Sequence, residues 1–312
     1  MSVRERTSLR EWLMLALRGA AMGVAEVVPG VSGGTIAFVT GIYFELLAAL
    51  RGFHPGLLVT LFQQGPLAAF RAVGGWFLVV LAAGMGAAIL SVAHLVEFLL
   101  QVQPIGVWAF FFGLIVASVP VIWSEVTATD PLSLVAAGTG LAVGMLIVMI
   151  EPVAVGGSLL WVFLGGAIAI SAWVLPGVSG SFMLLLLGLY IPTLAAVRSL
   201  DLIYLGTLAA GCALGLLFFV QIVGVLVDRY RSIVLALLTG IMTGSLMRLW
   251  PWQYVVSYQI DGDGESHPVR QIPVLPQAYL ELTGDDPAVL IACLCALAGI
   301  VAVVGLHRLG RT

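Results

Sequence analysis

Apolar residues run almost unbroken along this chain, and sparse polar breaks divide it into segments of membrane-crossing length. A bilayer core about 30 Å thick is crossed by roughly 20 apolar residues in a helix. Six segments meet that length: Gly74–Leu100, Pro104–Trp123, Pro131–Ile150, Leu202–Val227, Ser232–Leu249 and Ala288–Leu306. Two further apolar regions, Leu17–Leu50 and Leu159–Val197, are each interrupted at the middle by Pro-Gly-Val-Ser-Gly. The pieces on either side of each break are short for a crossing, so each region reads as a re-entrant hairpin. Irregular backbone at that depth survives only where it is buried in protein or lines a wet cavity.

The two breaks belong to an internal duplication. Pro29-Gly30-Val31-Ser32-Gly33-Gly34 and Pro176-Gly177-Val178-Ser179-Gly180-Ser181 stand 147 residues apart (176 − 29). At the same offset Gly19 matches Gly166, Ala25 matches Ala172, Tyr43 matches Tyr190 and Arg51 matches Arg198. A second stretch repeats at 127 (240 − 113), aligning Ala109, Gly113, Ser118 and Trp123 with Ala236, Gly240, Ser245 and Trp250. The unit is a broken hairpin followed by three spans, first over 1–157 and again over 158–312, where a loop occupies 251–287. An odd number of spans separates the hairpins, so the second copy enters from the opposite face. The fold class expected is an all-α polytopic membrane protein with the inverted-repeat plan of many secondary transporters.

Charge then orients this plan. The chain is 61% hydrophobic and only 9% charged, against about 25% charged in soluble domains. All 13 basic residues are arginine. With the N-terminus cytoplasmic, ten arginines fall inside and three (Arg198, Arg248 and Arg270) outside, as the positive-inside rule requires. Both termini are then cytoplasmic, and the acidic loop with Asp261, Asp263, Glu265, Asp285 and Asp286 lies outside. Cys212, Cys293 and Cys295 lie in apolar runs and read as core thiols.

Two breaks at corresponding places in inverted halves should meet near the midplane. Proline ends one helical piece, glycine permits the turn, and serine can cap the next piece. Backbone N–H groups near Gly33, Gly34 and Gly180, with the hydroxyls of Ser32, Thr35, Ser179 and Ser181, would then form a cradle for a phosphate or carboxylate. The bland alternative is a pair of capped kinks holding no ligand. Glu26, three residues before Pro29, is a charge inside an apolar region and so a functional candidate. It either carries a coupling proton or is hydrogen-bonded to the neighbouring hairpin's backbone; its counterpart in the second copy is Trp173. Arg51 and Arg198 close the two hairpins, either greeting an anionic headgroup or snorkelling to the interface. Arg248 at a span end carries the same two readings. Glu45 reaches the interface, and His94 with Glu97 is either a proton relay or an interfacial pair. Glu125, Asp130 and Glu151 fall at span ends, where they read as solvated. No cofactor and no metal is expected.

The run Gly19 to Thr35 with Gly41-Ile42-Tyr43, together with Leu175 to Ser181 and Gly188-Leu189-Tyr190, closely resembles the polyprenyl-phosphate transporter family over nearly the whole chain. The resemblance implies a prokaryotic cytoplasmic-membrane protein that returns undecaprenyl phosphate to the cytoplasmic leaflet, recycling the lipid carrier of peptidoglycan synthesis. Its partners would be that lipid, the surrounding membrane and a coupling ion, H+, with no nucleic acid. Negative-inside potential opposes inward anion movement by about 2.3 kcal/mol per charge per 100 mV, which argues for proton cotransport with Glu26 as first candidate. Two rivals remain: a transporter or channel for a small soluble anion, and an intramembrane polyprenyl-pyrophosphate phosphatase. Against the second, this chain has no lysine and no Ser/His/Asp set, and none of its four histidines lies beside the motifs.

Overall fold

The computed structural model describes residues 3–28, 30–127, 130–152, 158–260 and 266–311. Pro29, Asp261, Asp263 and Glu265, and the side chains of Glu97 and His267, lie outside the described residues. The first half runs α1 (Leu9–Val27), α2 (Gly33–Val39), α3 (Tyr43–Arg51), α4 (Gly56–Gln64), α5 (Pro66–Ala72), α6 (Gly75–Val102), α7 (Pro104–Trp123) and α8 (Pro131–Met149). The second runs α9 (Leu159–Val174), α10 (Gly180–Leu186), α11 (Tyr190–Ser199), α12 (Leu202–Ser245), a 3-10 turn (Leu246–Leu249), β1 (Gln253–Ile260), β2 (Ser266–Pro273), α13 (Pro276–Thr283) and α14 (Val289–Arg311). Local chemistry sets the boundaries. Ser8 and Glu11 form a capping box at α1, Asp130 accepts from the Ser133 N–H at α8, and proline opens α5, α7, α8 and α13.

Among the described residues, five helices are long and apolar enough to cross a membrane. Outward-facing Leu90, Phe218 and Leu290 are 82%, 73% and 73% exposed, suited to lipid rather than water. The chain is therefore a nearly all-α polytopic membrane protein. Four expectations change. Each hairpin breaks twice, because α2 and α3 meet at 117° and α10 and α11 at 107° after the first break. Gly41 and Gly188 make those extra bends at φ +76° and +68°, dihedrals that suit glycine. The spans expected over Leu202–Val227 and Ser232–Leu249 are limbs of one element, α12, broken by non-helical dihedrals at Tyr230. Residues 251–287 form the β1–β2 hairpin and α13 rather than a plain loop. Cys293 is exposed, so it is not a core thiol.

Glycine brings helices into backbone contact, and the contacts recur in both halves. A Cβ on Gly19 of α1 would collide with the Leu81 carbonyl of α6, and one on Gly166 of α9 with the Leu208 carbonyl of α12. These pairs are equivalent, since 166 − 19 = 147 and 208 − 81 = 127. Gly113 of α7 abuts Ala296 of α14, while Gly240 of α12 abuts Ala137 of α8. The last helix of each half thus lies on the middle span of the other. On the α8–α12 seam, Gly140 and Gly144 face Gly240 and Gly244, small-residue packing that lets backbones approach where lipid supplies no hydrophobic drive.

Candidate anion site at the paired breaks

The first limbs, α1 and α9, end at Val27 and Val174, and their last turns meet. Glu26 Oε1 accepts from the Trp173 Nε1–H and from the Gly33 N–H, both at 2.7 Å. Because 173 − 26 = 147, two equivalent positions of the duplication touch each other. The charge is held by a partner from each half, as a carboxylate withdrawn from water requires. A Cβ at Gly33 would lie 2.6 Å from Glu26 Oε1, so a larger residue there would displace the carboxylate from this position.

The breaks are laced together a second time. Gly177, at φ +89°, donates its N–H to Thr35 Oγ1 at 2.9 Å, and Ser32 Oγ donates to the Leu175 carbonyl at 3.4 Å. Ser32, Thr35 and Ser179 are buried, at 1%, 0% and 2% exposure. Neither serine caps the helix that follows it: Ser32 reaches across to Leu175, and Ser179 pairs with Ser181 at 2.8 Å. The helices α2 and α10 are seven residues each, under two turns. Their dipoles therefore contribute little, and the field at the breaks comes mainly from side chains. Gly34 and Gly180 keep the backbone open, with a Cβ on either lying 2.9 Å from a carbonyl oxygen, Trp173's and Ala169's respectively.

Among the described residues, one cation reaches this region. Arg248 lies in the 3-10 turn after α12, and its Nη1 donates to Gln271 Oε1 of β2 at 2.9 Å. Its guanidinium stands 4.9 Å from the centre of the Phe182 ring on α10. Its Nε is buried and has no partner among the described residues. Leaving such a donor unsatisfied costs about 1–3 kcal/mol, more when charged. Arg248 shares the wall of a small cavity with Gly30, Gly177, Ser179 and Ser245. The cavity measures about 10 Å³, room for about one water.

Other nominated residues lie elsewhere. Arg51 Nη1 pairs with Asp228 Oδ2 at 2.6 Å, and Gln221 Nε2 donates to the Arg51 carbonyl at 2.9 Å. Arg198 is exposed in the last turn of α11. Glu45, expected merely to reach the interface, is only 12% exposed at its side chain, and Arg6 binds it through both guanidinium nitrogens at 2.7 and 2.8 Å. Glu125 and Glu151 are exposed, as read, and they pair with Arg231 and Arg270. His94 is exposed. Trp173 went unnominated, although its position opposite Glu26 in the repeat was the signal.

A half-buried arginine with a buried Nε and a half-buried carboxylate thus stand at paired helix breaks in a membrane fold. The family described as VCA0040-like, undecaprenyl phosphate translocase-like, matches residues 22–267, and this chain belongs to it. The polyprenyl-phosphate transporter of Vibrio cholerae is 41% identical over 302 residues, covering 95% of this chain and 96% of that one. The polyprenyl-phosphate transporter of Staphylococcus aureus is 30% identical over 261 residues, covering 77% and 87% respectively. No solved structure matches the chain.

Proposed function

We propose that this protein carries polyprenyl phosphate, undecaprenyl phosphate in particular, from the outer to the cytoplasmic leaflet of the cytoplasmic membrane, coupled to protons. The observation that carries the reading is Arg248: a half-buried arginine against both breaks whose buried Nε has no partner among the described residues, in a chain of this family. A phosphate arriving there meets that N–H, the Ser179 and Ser181 hydroxyls and the Gly180 backbone; Ser32, Gly33, Gly34 and Thr35 supply the opposing wall. Arg51, already held by Asp228, and Arg198 act as interface anchors at the two hairpin ends. The two halves are inserted in opposite senses. The meeting of Glu26 with Trp173 and the exchanged helix contacts support that arrangement.

Coupling follows from competition. The Glu26 carboxylate and the substrate phosphate are both anions, and both seek the Gly33 N–H and the Trp173 indole N–H. Protonating Glu26 weakens its charge-assisted hydrogen bonds and yields those donors to the phosphate. The proton also offsets one negative charge moving against the membrane potential, about 2.3 kcal/mol per 100 mV. The test is leaflet-to-leaflet movement of labelled undecaprenyl phosphate in proteoliposomes, with and without an inward-acidifying gradient. Gradient-driven movement in the parent protein, lost in a folded Glu26→Gln variant, is the expected result. Flux of a soluble anion, or phosphate release, without lipid movement would overturn the reading.

A further inference from the structure

The fold holds Arg248 without a carboxylate. Other arginines among the described residues meet an acid: Arg6 pairs with Glu45, Arg51 with Asp228 and Arg231 with Glu125. The contacts of Arg248 are neutral. Gln271 Oε1 accepts from its Nη1 at 2.9 Å, and the guanidinium lies 4.9 Å from the centre of the Phe182 ring. An amide and a carboxylate accept the same hydrogen bond from an arginine, but only the carboxylate neutralises it. The charge is thus oriented without being cancelled.

Gln271 comes from β2, where it stands opposite Val255 of β1. Gln253, two residues before Val255, lies on the same face of the hairpin. Its Nε2 donates to the Met247 carbonyl at 2.8 Å and to the Arg248 carbonyl at 3.4 Å. The hairpin therefore grips the 3-10 turn by its backbone and Arg248 by its side chain. Beside Gln271, Arg270 pairs with Glu151, tying the same strand to the residues that follow α8. Neither the cation nor its holder belongs to the duplicated scaffold. Val121 stands where Arg248 stands in the other half (248 − 121 = 127). In the hairpin's place, between α7 and α8, the first half has only residues 124–130.

We propose that Gln271 is a positioning residue of the anion site: its neutral carbonyl oxygen fixes Nη1 of Arg248 and leaves the charge and the Nε–H to a phosphate monoester. This deepens the transport reading above and rests on the role given there to Arg248. A carboxylate at position 271 would be a resident anion beside the incoming one, and like charges set together weaken binding strongly.

The test is affinity for undecaprenyl phosphate, measured calorimetrically in nanodiscs, alongside the melting temperature of each variant. Gln271→Glu keeps the hydrogen bond and strengthens it with charge. Its melting temperature should hold or rise while affinity falls about tenfold or more. Gln271→Met keeps the length and loses the acceptor, so affinity should fall about threefold to tenfold. A residue that merely fastened the hairpin would give the reverse order, with Gln271→Glu binding like the parent and Gln271→Met the weaker. Parent affinity or a lowered melting temperature in Gln271→Glu overturns the inference, and weakened binding in Arg248→Gln then leaves the Arg248 site standing. Parent affinity in Arg248→Gln overturns that site, and absence of lipid movement in proteoliposomes of the parent protein overturns the transport reading itself.

Discussion

The two Pro-Gly-Val-Ser-Gly breaks share a backbone and differ in charge. Both turn through a glycine at about the same dihedral, φ +93° at Gly30 and +89° at Gly177, and both lead into a seven-residue helix. At the first break the protein has supplied its own anion, since the Glu26 carboxylate occupies the Gly33 N–H. At the second it has supplied a cation, Arg248, whose Nε is unpartnered. A duplicated scaffold can thus be split into two roles by one substitution on each side, here glutamate opposite Trp173 and arginine opposite Val121. The geometry comes from the repeat, and the chemistry comes from its violations.

That contrast can be broken most severely at Arg248. Arg248→Gln removes the buried charge while keeping a donor, and loss of one partner from a buried charged pair costs about 2–5 kcal/mol. Polyprenyl-phosphate affinity measured calorimetrically in nanodiscs should fall by more than tenfold, with Arg248→Lys intermediate because it keeps the charge and loses the fork. Next comes Trp173→Phe, which keeps the ring and removes one donor from Glu26. A hydrogen bond to a charged group contributes about 1.5–3 kcal/mol, so gradient-driven transport should fall about tenfold or more and the melting temperature should fall with it. The smallest effect belongs to Thr35→Val, which deprives the Gly177 N–H of its acceptor and uncouples the breaks from each other. An unsatisfied buried donor costs about 1–3 kcal/mol, read as a lowered melting temperature that Thr35→Ser restores. Equal effects of Arg248→Gln and Thr35→Val on affinity would erase the distinction between the breaks.

Much of this was legible because proline and glycine punctuate an apolar sequence sharply. The starts of α2 and α10, at Gly33 and Gly180, fall where the motif placed them. The second bends did not show, because Gly41 and Gly188 served as marks of the family resemblance and their left-handed dihedrals are invisible in composition. The stretch 56–72, left unassigned, forms α4 and α5, both too short to register as spans. A third offset also went unread: 159 residues relate Ala137 to Ala296 and Gly140 to Gly299, and these residues make equivalent contacts. The serines were expected to cap locally and instead reach across or pair with each other, because the opposite break lies within hydrogen-bonding distance. Arg248 was split between anion attraction and snorkelling. The 3-10 turn after α12 carries it against Phe182 and both motifs, a placement that its position at a span end did not show.

The clamp of Arg6 on Glu45 fastens the first hairpin by a means that the second does not repeat. Both guanidinium nitrogens hold the carboxylate, the Arg4 N–H adds a third bond, and the guanidinium rests 5.2 Å from the centre of the Phe77 ring. The leading strand of the chain thereby bolts α3 to α6. At the matching position of α11 stands Pro192, a residue with no charge to offer and no N–H to give. In mechanical terms one hairpin is a post bolted to its frame by charge, and the other is pinned to α12 by the hydroxyls of Thr193 and Tyr204.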